Sequence, residues 1–183
     1  GGGLEYSKLG YTHQCLWDTA LLSQLPNLPI FTPTYSILEV SNALELHVSK
    51  REPVYLRLTD ALLTNYSQTV EVNPYELVKI NDSSSETAII FCGAYPGINS
   101  DFEAYKSEHD IYAYSYTNRI PDNLNLLLDY KNITVIEFGT LPTLSNLIKQ
   151  TGLKIKTSRY MNNFFFMEYG STNAAKAISE NWI

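Results

Sequence analysis

The sequence predicts an α/β chain built as two three-layer units whose sheets are mainly parallel. Two observations predict it. Short apolar runs of strand length alternate with segments of helical spacing, first over residues 30–58 and again over 88–157. Between these stretches, over residues 59 to about 85, the alternation lapses, with Asn81-Asp82-Ser83-Ser84-Ser85-Glu86 as a clear polar loop, and a boundary is expected within this stretch. The expected units are 1–78 and 79–183.

Taken in order, residues 1–11 are Gly-rich and polar and read as a loop. Thr12 is a candidate N-cap for a helix running to about Leu25, with Leu16, Trp17, Ala20 and Leu21 as its apolar stripe. Ile30-Phe31, held between Pro29 and Pro33, reads as a short buried strand. Ser36 to Lys50 follows as a helix with Ile37, Val40, Ala43, Leu44 and Val48 on one face. Pro53 to Leu58 is the next strand. Val70 to Ile80 holds a strand or two. In the second unit the strands are Ala88–Cys92, Ile111–Tyr116, Ile133–Phe138 and Leu153–Thr157. The helices between them are Ser100–Ser107, Pro121–Tyr130 with Pro in its first turn, and Pro142–Gln150 closed by Gly152. Thr172 caps a last helix to Trp182, and Phe164-Phe165-Phe166-Met167 reads as a buried strand or interface segment.

The bulk numbers narrow the function. Hydrophobic residues make up 44% and charged residues 17% of the 183, enough for a core and unlike a disordered chain. The net charge of −6, with no Lys/Arg cluster, argues against nucleic acid as a partner. No apolar run reaches the roughly 18 residues of a membrane span, and no secretory signal is evident at Gly1, so a cytoplasmic chain is expected. The two cysteines, Cys15 and Cys92, stand far apart in apolar segments and read as buried free thiols. His47 and His109 carry no metal-ligand spacing and read as structural, and Asp18 and Glu39 read as solvated faces of their helices.

The segment Gly10-Tyr11-Thr12-His13-Gln14 places an imidazole at a loop-to-helix junction, where a titratable group is both exposed and held. It leads through Leu25-Pro26-Asn27-Leu28-Pro29-Ile30 to Pro53-Val54-Tyr55-Leu56-Arg57-Leu58. This order resembles the second half of the pyrimidine-binding domain of transketolase-like, thiamine diphosphate-dependent enzymes. There a Gly-x-Thr-His turn leads a helix into Leu-Pro-Asn and a short strand, and a further helix leads to an Arg-bearing strand. Farther on, Tyr169-Gly170-Ser171-Thr172 and the following residues to Ile178, with the Glu137-bearing strand Ile133-Thr134-Val135-Ile136-Glu137, resemble the C-terminal domain of the same family.

The resemblance implies an enzyme that transfers a two-carbon ketol unit between sugars or sugar phosphates. It implies thiamine diphosphate and Mg as cofactors, bound mainly by parts outside this chain, since neither a Gly-Asp-Gly metal motif nor the cofactor-activating Glu segment is present. It implies an upstream or partner cofactor-binding domain and a homodimer or heteromer, the family's active site lying at a dimer interface. By the same resemblance His13 is the catalytic and substrate-binding candidate, its imidazole bonding a sugar oxygen. Arg57 is the candidate for the substrate phosphate, which a guanidinium can grip with two parallel bonds. From the residues alone, a helix N-terminal role for His13 and an ion pair of Arg57 with Asp60 or Glu52 stand open beside these. The chain departs from the family at Leu9, where many transketolases carry an acid that selects the donor hydroxyl, and at Phe138-Gly139-Thr140, which lacks the usual glycine pair. The alternatives are a deoxyxylulose-phosphate synthase-like enzyme, a 2-oxo acid dehydrogenase β-type subunit, or a non-catalytic interaction module retaining the fold.

Overall fold

The computed structural model describes residues 15, 17–59, 62–63, 73–95, 97–137, 142–155 and 157–159. The His13 turn, the Phe164–Met167 run, the Tyr169–Ile178 segment and the helix expected from Thr172 lie outside the described residues. The elements in chain order are α1 (Asp18–Leu22), β1 (Ile30–Phe31), α2 (Leu38–Lys50), β2 (Tyr55–Leu56), β3 (Val78–Asn81) and β4 (Thr87–Cys92). They continue with α3 (Ile98–Tyr105), β5 (Asp110–Tyr114), a 3-10 turn (Leu124–Leu127), β6 (Asn132–Glu137), α4 (Leu144–Gln150) and β7 (Thr157–Arg159).

The strands form a two-stranded sheet, β1-β2, and a five-stranded sheet in the order β3-β5-β4-β6-β7. β1 and β2 are parallel, joined by α2 as crossover, and the β5-β4-β6-β7 pairings are all parallel. β3 alone runs antiparallel, against β5, with an irregularity between Lys79 and Asn81. The mainly parallel α/β class expected from the alternation is thus the one observed. β4 is buried along nearly its whole length, which is why it reads as a continuous apolar run rather than an alternating one.

The pleat sends successive side chains of the large sheet into two cores. Ile89 and Phe91 of β4 pack with Ile111, Ala113 and Ile136 beneath Ile98 and Phe102 of α3. Ala88, Ile90 and Cys92 pack on the other face with Tyr112, Tyr114, Ile133 and Val135, covered by Leu144 and Ile148 of α4 and by Leu127. Burying one such side chain contributes about 1.5–3 kcal/mol.

The two sheets are joined along the continuation of β5. Thr32 N–H donates to Ser115 O at 2.7 Å and Thr117 N–H to Ile30 O at 3.0 Å, around an antiparallel bridge between Phe31 and Tyr116. Asn118 completes the seam: its Oδ1 accepts from Ile30 N–H and its Nδ2 donates to Leu28 O, both at 2.8 Å. Gly93, where β4 ends, sits against this seam with φ +73°, and a Cβ there would come within 3.0 Å of the Thr32 side chain.

Several elements differ from their expected form. The first described helix runs from Asp18 and buries Asp18, Thr19 and Ala20, leaving Trp17 and Leu21 exposed; the expected N-cap Thr12 lies outside the described residues. The Pro121–Tyr130 helix is reduced to a single 3-10 turn. Its leading residues serve another segment, because Asn123 Oδ1 accepts from Leu77 N–H at 2.7 Å and Asp122 N–H donates to Tyr75 O at 2.9 Å. The strand expected at Leu153–Thr157 starts only at Thr157. Gly152 closes α4 with φ +87°, as its place after the last helical turn requires.

The largest departure is α2. Ala43 of the expected apolar face is buried and Val40 packs against the core, but Ile37 is 68% and Val48 74% exposed, and Leu44 is exposed too. The buried side chains include Glu39 and His47. Glu39 is not a solvated face, and neither is Asp18. Cys92 is a buried free thiol as expected, whereas the free thiol Cys15 is exposed.

Candidate functional site

Period-two alternation puts Tyr55 and Arg57 on one side of the chain as it leaves β2. Both side chains reach the same carboxylate. Arg57 Nε donates to Asp18 Oδ2 at 2.8 Å, and Tyr55 OH donates to the same oxygen at 3.2 Å. Arg57 Nη2 also donates to the carbonyl of Cys15 at 3.4 Å, and Arg57 N–H donates to Phe31 O at 2.8 Å. Arg57 is only 3% exposed. Among the described residues Asp18 is an acid beside Arg57; Glu52 lies 4.0 Å from His47 Nδ1, and Asp60 lies outside the described residues. Asp18 opens α1, where a negative charge meets the positive end of the helix. Its second oxygen, Oδ1, is buried and has no hydrogen-bond partner among the described residues.

The local field follows this ion pair. Burial and then the Asp18 charge push the Cys15 thiol up, with Arg57 opposing. The same two causes raise the Tyr55 phenol, whose proton is committed to Asp18. Neither group is ionised near neutral pH, so the cluster offers a fixed guanidinium, a carboxylate and neutral donors. It can orient an anion or a hydroxyl; it holds no activated nucleophile.

A second buried carboxylate organises the β1–α2 loop. Glu39 Oε1 accepts the N–H groups of Thr34, Tyr35 and Ser36 at 3.1, 2.7 and 2.7 Å, and Oε2 accepts the Ser115 hydroxyl. Ser36 Oγ in turn accepts Leu38 N–H, so Ser36 and Glu39 each accept backbone N–H groups at the start of α2. Thr34 Oγ1 donates to Tyr114 O at 2.9 Å and accepts Gly93 N–H at 3.1 Å, extending the network to the ends of β4 and β5. Burial raises the Glu39 pKa against the opposing pull of these donors.

Glu137 has the same structural character. It ends β6 and its carboxylate accepts the N–H groups of Thr143, Leu144 and Ser145 together with the Ser145 hydroxyl, capping α4 from outside the helix. His47 is structural as expected: Nε2 lies 2.9 Å from Tyr116 OH, and the ring packs against Tyr75 and Tyr116. His109 likewise bonds locally, with Nδ1 2.6 Å from Thr87 Oγ1.

Of the two expected site residues, His13 lies outside the described residues, and Arg57 is held by Asp18. Sequence reading missed Asp18 and Glu39. For Glu39 a signal was present in the Ser-x-x-Glu spacing; for Asp18, only the coincidence of an acid with a helix start. Among the described residues no three His, Cys, Asp or Glu side chains come together to hold a metal ion.

The architecture matches solved structures. A chain described as a split-gene transketolase, in an inactive beta4 tetramer, superposes with a TM-score of 0.64 over 92% of this chain, at 16% identity. The fold is transketolase-like. Transketolase from Leishmania mexicana matches 98% of the chain with a TM-score of 0.60 at 15% identity. Transketolase from Pichia stipitis, in complex with sedoheptulose 7-phosphate, matches 98% at 0.59 and 12%. The chain spans 62% of the split-gene chain and only 27% and 26% of the other two. No family model and no curated sequence matches it. No helix among the described residues is long and apolar enough to cross a membrane.

Proposed function

We propose that this chain is the C-terminal portion, as fragment or separate subunit, of a thiamine diphosphate-dependent enzyme that transfers two-carbon ketol units between sugar phosphates. The observation that carries the reading is the transketolase-like fold, matched over nearly all of this chain but only about a quarter of the full-length transketolases. In this proposal residues 1–78 complete the pyrimidine-binding domain and 79–183 form the C-terminal domain. The metal and the diphosphate belong to an upstream or partner domain, which supplies the thiazolium carbon chemistry. A cytoplasmic homodimer or heteromer is part of the same proposal. The exposed stripe of Ile37, Leu44 and Val48 on α2 supports a covering partner, since a folded domain gains by burying such a face.

This chain's own residues bind and orient. His13, two positions before Cys15 in the sequence, hydrogen-bonds a hydroxyl or carbonyl oxygen of the sugar and relays a proton there. Arg57 meets the phosphate, and Asp18 fixes the guanidinium so that little side-chain entropy is lost on binding. A second reading is favoured by the ion pair itself. A guanidinium 3% exposed and already bonded to a carboxylate can be a clasp that tethers α1 to β2 and touches no substrate.

Steady-state kinetics of the assembled enzyme separate the two. If Arg57 meets the phosphate, Arg57→Ala raises KM for a sugar phosphate about 10- to 100-fold, matching the roughly 1.5–3 kcal/mol of a charge-assisted hydrogen bond, and leaves KM for the unphosphorylated sugar unchanged. Equal effects on both substrates support the clasp. Transfer unaffected by His13→Ala would overturn the assignment of His13.

A further inference from the structure

We infer that the groove between the 3-10 turn and the end of α4 binds a small amphipathic anion, an apolar body carrying one carboxylate or sulfonate. Leu124 and Leu128 line it from the 3-10 segment, Ile133 from the start of β6, and Leu153 from the chain beyond α4. Its volume is about 600 Å³, within the range of roughly 300–1,000 Å³ typical of small-molecule sites. Leu128 is 69% exposed, so its side chain is available to cover an apolar ligand.

Charge selects the ligand class. The chain carries a net charge of −6, yet the charged residues among the described lining are two lysines, Lys131 and Lys154. Lys131 Nζ bonds Glu86 at 2.6 Å, but both side chains are largely exposed, so a bound anion can compete for the ammonium. Lys154 is exposed and has no ion-pair partner among the described residues. A lining that combines leucine and isoleucine side chains with two lysines complements a ligand with a greasy body and an anionic end.

The groove is separate from the Arg57 cluster. None of Cys15, Asp18, Tyr55 and Arg57 lines it. Its occupation does not depend on the proposed ketol transfer.

The test is titration of the chain with anilinonaphthalene sulfonate, followed by fluorescence, with octanoate as competitor. The expected result is saturable one-site enhancement that octanoate displaces. Lys154→Glu and Leu128→Asn each weaken it several-fold, while Val48→Ser on α2 leaves it unchanged. Lys154 and Leu128 are both exposed, so these variants keep the fold, which circular dichroism checks. Absence of saturation, unchanged affinity in both groove variants, or loss in Val48→Ser would overturn the inference.

Discussion

Arg57 Nε and Asp18 Oδ2 lie 2.8 Å apart, and through this contact the exit of β2 holds the first turn of α1. The segments they join are 39 residues apart in sequence, and both side chains are almost completely buried. Removing either member takes away a buried counter-charge, at a cost of up to about 3–5 kcal/mol. Asp18→Ala and Arg57→Ala should therefore each lower the urea midpoint markedly, and the double variant should lose much less than the sum. Additive losses in that cycle would show that the two side chains act independently.

Glu39 gathers three backbone N–H groups and a hydroxyl, so its loss leaves several buried donors unpaired. Glu39→Ala should destabilise the fold by roughly 3 kcal/mol. Glu39→Gln retains an oxygen that can accept the same N–H groups and should cost about 1 kcal/mol. Equal costs for the two, read from denaturant unfolding, would mean that the carboxylate's charge matters more than its geometry.

His47 makes stability fall on acidification. Burial holds its pKa below the usual imidazole value of 6.5; the nearby Glu52 opposes this, and Lys50 and Arg119 reinforce it. With the folded value depressed, the unfolded chain takes up the proton first as pH falls. The contribution is complete above about 6.5 and is lost as pH drops through the folded value. Unfolding midpoints measured from about pH 7.5 to 5 should decline in the parent and flatten in His47→Gln.

Asp110 works at the other end of the large sheet. Burial alone would raise its pKa, but Lys79, Tyr130 and the Ser83 and Ser85 N–H groups outweigh burial and hold the carboxyl well below the usual range. Its folded value is thus depressed, and the stability it confers is present above about pH 4 and lost as pH falls below it. Asp110→Asn should destabilise the chain at neutral pH and remove part of its acid sensitivity, measured by the same unfolding series.

The strand–helix alternation was legible because burial of a parallel sheet writes long apolar runs such as Ala88–Cys92, and Gly152 marked the end of α4 for a backbone reason. Helix faces were less legible. The stripe Ile37-Leu44-Val48 follows helical spacing yet faces outward, and periodicity shows that a face is apolar without showing what covers it. The Pro121–Tyr130 segment has helix-forming leucines, but Asn123 spends its side chain on Leu77, a contact 46 residues away that no local pattern encodes. The candidate site was half legible. Arg57 stood out as a charge in an apolar strand, whereas its partner Asp18 looked like any acid on a helix.

The most direct measurement of the central claim is thiamine diphosphate binding and product formation by this chain assembled with its upstream or partner domain. Calorimetry with the cofactor and Mg, followed by detection of the two-carbon-extended sugar phosphate, should show tight binding and cofactor-dependent transfer that His13→Ala reduces strongly. An assembled protein that binds no cofactor and extends no sugar would contradict the account and leave the fold as a non-catalytic interaction module.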